Sequence, residues 1–160
     1  MKTSKLKILY FFFSMIFLSF LTTSCSERPF YDQAYSFDDG VWNKNDTARF
    51  IVPVDDTINE YKFILTLRTT VNYQYSDLWA YVMITAPDES VSKMAQRIPL
   101  ANTDGSWIGR VSGTVVESRL KFDSAQFPLK GDYIFEIVKA TQRDKIEEVL
   151  DVSLRIEENF

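Results

Sequence analysis

The chain has 160 residues, 18 Lys plus Arg against 22 Asp plus Glu, no histidine and one cysteine. The net charge of −4 argues against nucleic-acid binding, which needs a basic face to displace counterions. Without histidine, Ser-His-Asp and Cys-His catalysis are excluded and most zinc sites disfavoured. The five glycines are scattered at 40, 105, 109, 113 and 131, so there is no glycine-rich phosphate loop.

The first residues carry Lys2, Lys5 and Lys7, and an apolar run follows from Ile8 to Leu21, broken by Ser14 and Ser19. Fourteen helical residues cover about 21 Å, too short for a hydrocarbon core of about 30 Å. A basic start, a short apolar centre and small residues make a secretory signal. Here the small residues are Thr22, Thr23 and Ser24, and Cys25 follows at once. A lipoprotein signal needs a thiol at the first mature position, where the sulfur accepts diacylglycerol. Residues 1–24 are therefore expected to be a lipoprotein signal peptide and Cys25 the lipidation site. Leu21 lies four residues before the cysteine, where the commoner pattern puts leucine three before. Cleavage leaves 136 residues with a net charge of about −7, enough for one domain held by packing without disulfides. No cofactor is expected beyond the covalent lipid on Cys25, and no metal.

Residues 25–45 are expected to be a lipidated, partly packed tether, because Phe30, Tyr31, Tyr35, Phe37 and Trp42 are too aromatic to stay solvated. Residues 46–160 then read as the domain. Ala48, Phe50, Val52 and Val54 alternate, with Pro53 marking an edge strand or bulge. Tyr61, Phe63, Leu65 and Leu67 alternate next. Leu78–Thr85 is apolar on both faces, as in a central strand. A further strand is expected over Lys93–Leu100, and Asn102–Gly105 is a turn. Val115–Phe122 fits strand or short helix equally. After the turn at Pro128–Gly131, Tyr133, Phe135 and Ile137 alternate. Asp144–Glu148 reads as a polar connection or a helical turn, and Leu150, Val152, Leu154 and Ile156 alternate to the end.

Seven or eight short strands separated by turns predict an all-β chain forming a single immunoglobulin-like β-sandwich. Gly131 two residues before Tyr133 matches the tyrosine corner of such domains; an ordinary core tyrosine reads the same way.

Several ordered blocks carry a family resemblance. They are Ser36-Phe37 and Trp42-Asn43-Lys44-Asn45-Asp46; Leu65-Thr66-Leu67-Arg68, Asn72-Tyr73 and Ser76-Asp77-Leu78; Asp104-Gly105-Ser106-Trp107-Ile108-Gly109; Phe127-Pro128, Gly131-Asp132-Tyr133-Ile134-Phe135-Glu136 and Val152-Ser153-Leu154-Arg155-Ile156-Glu157. Together with the signal and its cysteine, they resemble the gliding-motility lipoprotein GldH family of Bacteroidetes. The resemblance implies a non-enzymatic lipoprotein of the gliding and type IX secretion-associated apparatus. It would be anchored by its lipid in the cell envelope, outside the cytoplasm, with other envelope proteins as partners. No catalytic residues come with it.

Trp79 and Tyr81 share one strand face, with Tyr73 and Tyr75 just upstream. With Trp107 at the edge of the Asp104–Ser106 loop, Trp79, Tyr81 and Tyr73 form the candidate interaction surface. Such aromatics serve a protein partner or a sugar ring when exposed, and a core when buried. The alternative function is accordingly a carbohydrate-binding surface module. Arg68 is expected to pair with Asp77 or another acid. The doublets Asp38-Asp39, Asp55-Asp56 and Glu147-Glu148 read as solvated turns, because neighbours on a strand point to opposite faces.

Overall fold

The computed structural model describes residues 28–159; Cys25 and the signal segment lie outside them. Twelve strands occur: β1 Tyr31–Ser36, β2 Val41–Asn43, β3 Ala48–Val54, β4 Glu60–Thr70, β5 Asp77–Thr85, β6 Val91–Pro99, β7 Arg110–Ser112, β8 Val115–Lys121, β9 Ala125–Gln126, β10 Gly131–Lys139, β11 Lys145–Glu147 and β12 Val149–Glu158. One 3-10 turn, Asp38–Gly40, is the sole helical element among the described residues.

Strict alternation of apolar and polar residues dictates the layers. In β3, Ala48, Phe50, Val52 and Val54 are buried while Arg49, Ile51 and Pro53 face out. In β10, Tyr133, Phe135 and Ile137 are buried in the same way. Two antiparallel sheets result. The first runs β1-β12-β4-β8-β7, with β9 beside β4, and the second runs β3-β10-β5-β6. One continuous core joins them, built around Trp42, Phe50, Leu65, Leu67, Ile137 and Ile156. The sandwich expected from the sequence is present, with more strands than seven or eight, but its topology is not the expected immunoglobulin-like one, because the first and last long strands pair with each other, a long-range pairing that local alternation does not encode. Eight long strands (β1, β3, β4, β5, β6, β8, β10 and β12) make its frame. Counted in chain order, they lie first-eighth-third-sixth in one sheet and second-seventh-fourth-fifth in the other. That order is a jelly roll, two Greek keys wrapped together. Pro53 lies on β3, which is an edge strand as expected.

The Pro128–Gly131 turn carries the predicted corner. The Tyr133 hydroxyl accepts a hydrogen bond from the Leu129 backbone N–H at 3.1 Å, tying the strand start back across the turn. Gly131 has φ +129°, and a Cβ there would meet the Pro87 Cβ at 2.9 Å. Both the backbone conformation and the close approach require glycine.

Two local readings sharpen and one left open is settled. The described part of the segment expected to be a partly packed tether over residues 25–45 packs on the domain as expected, and over Tyr31–Ser36 it does so as a strand: β1 pairs with β12 from Tyr31↔Ile156 to Ser36↔Asp151 and forms an edge of the first sheet. Asp32, Gln33 and Ala34 carry little strand propensity, so this strand is imposed by its partner at the other end of the chain. Asp144–Glu148 contains β11, which pairs with β2 through Ile146↔Trp42. Val115–Phe122 resolves as strand β8 over Val115–Lys121. The Trp42–Asp46 block closes a turn: Trp42 Nε1 donates to the Asp46 carbonyl at 3.0 Å, and the Asn43 N–H donates to its carboxylate at 2.9 Å. The Trp42 ring stacks on Phe37 at 4.6 Å.

Candidate interaction face

Residues directly opposite in antiparallel pairs share a face, so the registers of the second sheet assemble its outer surface row by row. Trp79 lies opposite Arg97, Tyr81 opposite Ala95 and Val138, and Met83 opposite Lys93 and Glu136. Thr85 lies between Val91 and Ile134, and Ile134 is next to Ile51. The rows make an apolar strip across the sheet, crossed by one charged row in which Arg49 pairs with Glu136 at 3.9 Å and Lys93 faces Met83. The large side chains of the strip are a third to two-thirds exposed: Ile51 at 51%, Trp79 at 47%, Tyr81 at 37% and Val91 at 65%. Charges sit beside it. Lys93 Nζ lies 4.1 Å over the Tyr81 ring, and Arg97 pairs with Asp77 at 2.8 Å.

The strip ends in a hollow of about 250 Å³ lined by Tyr73, Tyr75, Asp77, Trp79, Arg143 and Ile146. Tyr73 is its buried floor. Its hydroxyl donates to the Asp77 carbonyl at 3.3 Å, and burial, helped by the Asp77 charge, raises its pKa and keeps it protonated. Its ring meets Tyr75 edge-on at 5.6 Å. Arg143 donates to the Tyr75 hydroxyl at 2.6 Å and lies 5.0 Å above the ring. The hollow therefore offers aromatic edges, a half-free guanidinium and a carboxylate.

The sequence candidates divide accordingly. Trp79 and Tyr81 are exposed on one face, as their spacing requires. Tyr73 reaches the site only as its floor. Trp107 is half-buried against the core, held by a bridge to Ala101 in the loop after β6, and lines neither strip nor hollow. Ile51, Val91 and Arg143 were missed. Ile51 carries a signal in retrospect, since it is the apolar residue out of phase with its strand; Arg143 carries none. Arg68 pairs with Asp151 at 2.5 Å and not with Asp77; the hydrogen-bonded carboxylate holds the guanidinium firmly charged. Asp38 and Asp39 form the 3-10 turn, Asp56 accepts the Ile58 N–H at 2.8 Å, and Glu147 pairs with Lys145 at 2.7 Å. Among the described residues no group of His, Cys, Asp or Glu is arranged to hold a metal ion.

The fold and face define a small jelly-roll β-sandwich whose most distinctive surface is an uncovered aromatic strip. The chain belongs to the GldH lipoprotein family, whose model matches residues 29–156. It is 26% identical over 155 residues to the gliding motility lipoprotein GldH homolog of Christiangramia forsetii, covering 92% of this chain and 94% of that one. It is also 26% identical over 151 residues to gliding motility lipoprotein GldH of Flavobacterium johnsoniae, covering 90% and 94%. Among solved structures, a CBM35 from Cellvibrio japonicus Abf62 matches at TM-score 0.35 and 15% identity, covering 74% of each chain. The infectious bursal disease virus VP2 subviral particle matches at TM-score 0.38 and 14% identity, covering 85% of this chain and 34% of that one. Those two likenesses are too loose to bear on function.

Proposed function

We propose that this chain is a lipid-anchored lipoprotein of the cell envelope that serves the gliding-motility and type IX secretion-associated apparatus by binding a partner protein. The lipid on Cys25 would hold the domain beside a bilayer outside the cytoplasm. The outer face of the second sheet would dock the partner. The observation that supports this most is the exposed row Ile51, Trp79, Tyr81 and Val91. Large apolar side chains left exposed beside charge mark interaction sites, and Trp and Tyr are favoured as anchors. Confinement to a membrane raises effective concentration, so a modest interface suffices. Two or three acyl chains give the lasting attachment that one chain does not.

The test is the full chain carrying Cys25→Ala, expressed at native abundance. It is expected to fold, to leave the membrane fraction and to lose function. Normal function from that unanchored protein rejects the proposal.

A second reading rests on the hollow beside Trp79. Exposed Tyr75 and Trp79 with Asp77 and Arg143 offer the stacking surfaces and hydrogen-bonding groups that a sugar ring uses. A broad glycan array separates the readings: a sugar bound by the native chain and lost in Trp79→Ser favours this second one.

A further inference from the structure

A different and more apolar hollow lies between the sheets. It is a cleft of about 270 Å³, lined almost wholly by carbon, with Phe63, Ile84, Met94, Phe122, Phe127 and Phe135 among its walls. Met94, Asp123 and Ala125 form its exposed lip. An apolar cleft of this kind gives water nothing to bond, so it stays dry or takes an apolar guest. Its volume is just below the range of about 300–1,000 Å³ typical of small-molecule pockets. With almost no polar group to orient a head, it suits a flexible hydrocarbon chain, or part of one.

The start of the described chain leads to this cleft. The Phe30 ring packs on Tyr61 at 4.8 Å and on Phe127 at 6.5 Å. Phe127 is a wall of the cleft and also touches Phe63 and Tyr133, with ring centroids 5.5 and 4.7 Å away. Tyr61 pairs with Ala125 of the lip. Cys25 precedes Phe30 by five residues, a span of at most about 17 Å when extended. A lipid on that sulfur therefore starts within reach of the opening.

We propose that the cleft houses part of one acyl chain carried by Cys25 of the same molecule. The proposal rests on the lipid-anchor reading above. Moving a chain between bilayer and cleft exchanges one apolar surrounding for another, so occupancy is near balance while the protein sits on a membrane. Wherever the lipid would otherwise meet water, the cleft is strongly favoured. The domain thereby shelters its own anchor during transfer between apolar surroundings.

The test uses the full chain made in cells fed a palmitate analogue bearing a diazirine. Membranes are irradiated and adducts mapped by peptide mass spectrometry. Expected are adducts on Met94, Phe122 or Phe127, and their loss in Ala125→Trp or Met94→Trp, which plug the lip from opposite sides while still carrying label on residue 25. Label on Cys25 with adducts only outside the cleft overturns the proposal. So do cleft adducts that persist unchanged in Cys25→Ala, because the guest is then a free lipid. Absence of label from Cys25 overturns the lipid-anchor reading itself, an outcome distinct from either of these.

Discussion

The two outer faces of the sandwich follow the same alternation and differ in how much large apolar surface they leave in water. On the first sheet, Arg155 bonds both Asp32 at 3.0 Å and Glu157 at 2.6 Å, Arg68 holds Asp151, and Arg119 pairs with Glu117 at 2.7 Å. Charges of both signs alternate across strands, so that face satisfies itself and stays solvated. On the second sheet the same face carries Ile51, Ile134, Tyr81, Trp79 and Val91, interleaved with Lys93 and with the pairs Arg49–Glu136 and Arg97–Asp77. One face is complete without a partner. The other keeps apolar surface in water, which is unfavourable unless something covers it. The contrast supports the proposal that the second sheet is the working surface, since both belong to one frame and differ only in the side chains they present.

The largest expected effect lies on the self-satisfied face. Asp151 is buried at 4% side-chain exposure while Arg68 is half-exposed. Arg68→Met leaves that carboxylate uncompensated. Breaking a buried pair costs about 3–5 kcal/mol, and partial exposure of the arginine reduces this to about 2–3 kcal/mol, read from urea unfolding. A loss below about 0.5 kcal/mol would show that the pair is no more than a surface contact.

Between the faces, Tyr133→Phe removes the acceptor for the Leu129 N–H. It is expected to cost about 1 kcal/mol and a few degrees of Tm by thermal melting. An unchanged Tm would remove the corner from the account.

Alkaline stability follows from the buried phenols. Burial raises the pKa of Tyr31, Tyr61 and Tyr73 above the usual 10.0. Their contribution is fully present below pH 10 and is lost as pH rises from there toward the folded-state values. Lys139 acts in the opposite sense, since burial lowers its pKa. Urea midpoints at pH 8 and pH 11 should therefore fall less steeply in Tyr73→Phe than in the parent; an equal fall contradicts the assignment.

The smallest expected stability effect comes from the aromatic face. Trp79→Ser and Tyr81→Ser should each lower unfolding free energy by less than about 1 kcal/mol, the scale of cross-strand contacts and strand propensity at half-exposed positions. A large loss would mean that these rings hold the sheet together and that the contrast between the faces is false.

Much of this was legible in the sequence because strand alternation is local. The phases of β3, β10 and β12, the edge position of Pro53 and the Gly131–Tyr133 corner all follow from residues within a few positions of one another. What escaped depends on distant partners. Strand β1 exists because Tyr31 meets Ile156, and Arg68 finds Asp151 across 83 positions of chain. The candidate site divides in the same way. Trp79 and Tyr81 were placed on one face by period two, whereas the burial of Tyr73 and the arrival of Arg143 depend on how the β10–β11 connection lies against β5. Ile51 joins the strip only through the β3–β10 register.

The claim that the second sheet docks a partner is tested most directly by photo-crosslinking inside cells. A photoreactive amino acid is placed singly at Ile51, Tyr81 or Val91 on one face, and at Lys62, Ser153 or Arg119 on the other. The account predicts adducts to the same envelope protein from the first three positions, lost when Trp79→Ser is added, and none from the second three. Adducts from the ion-paired face, or equal yields from both, would contradict it.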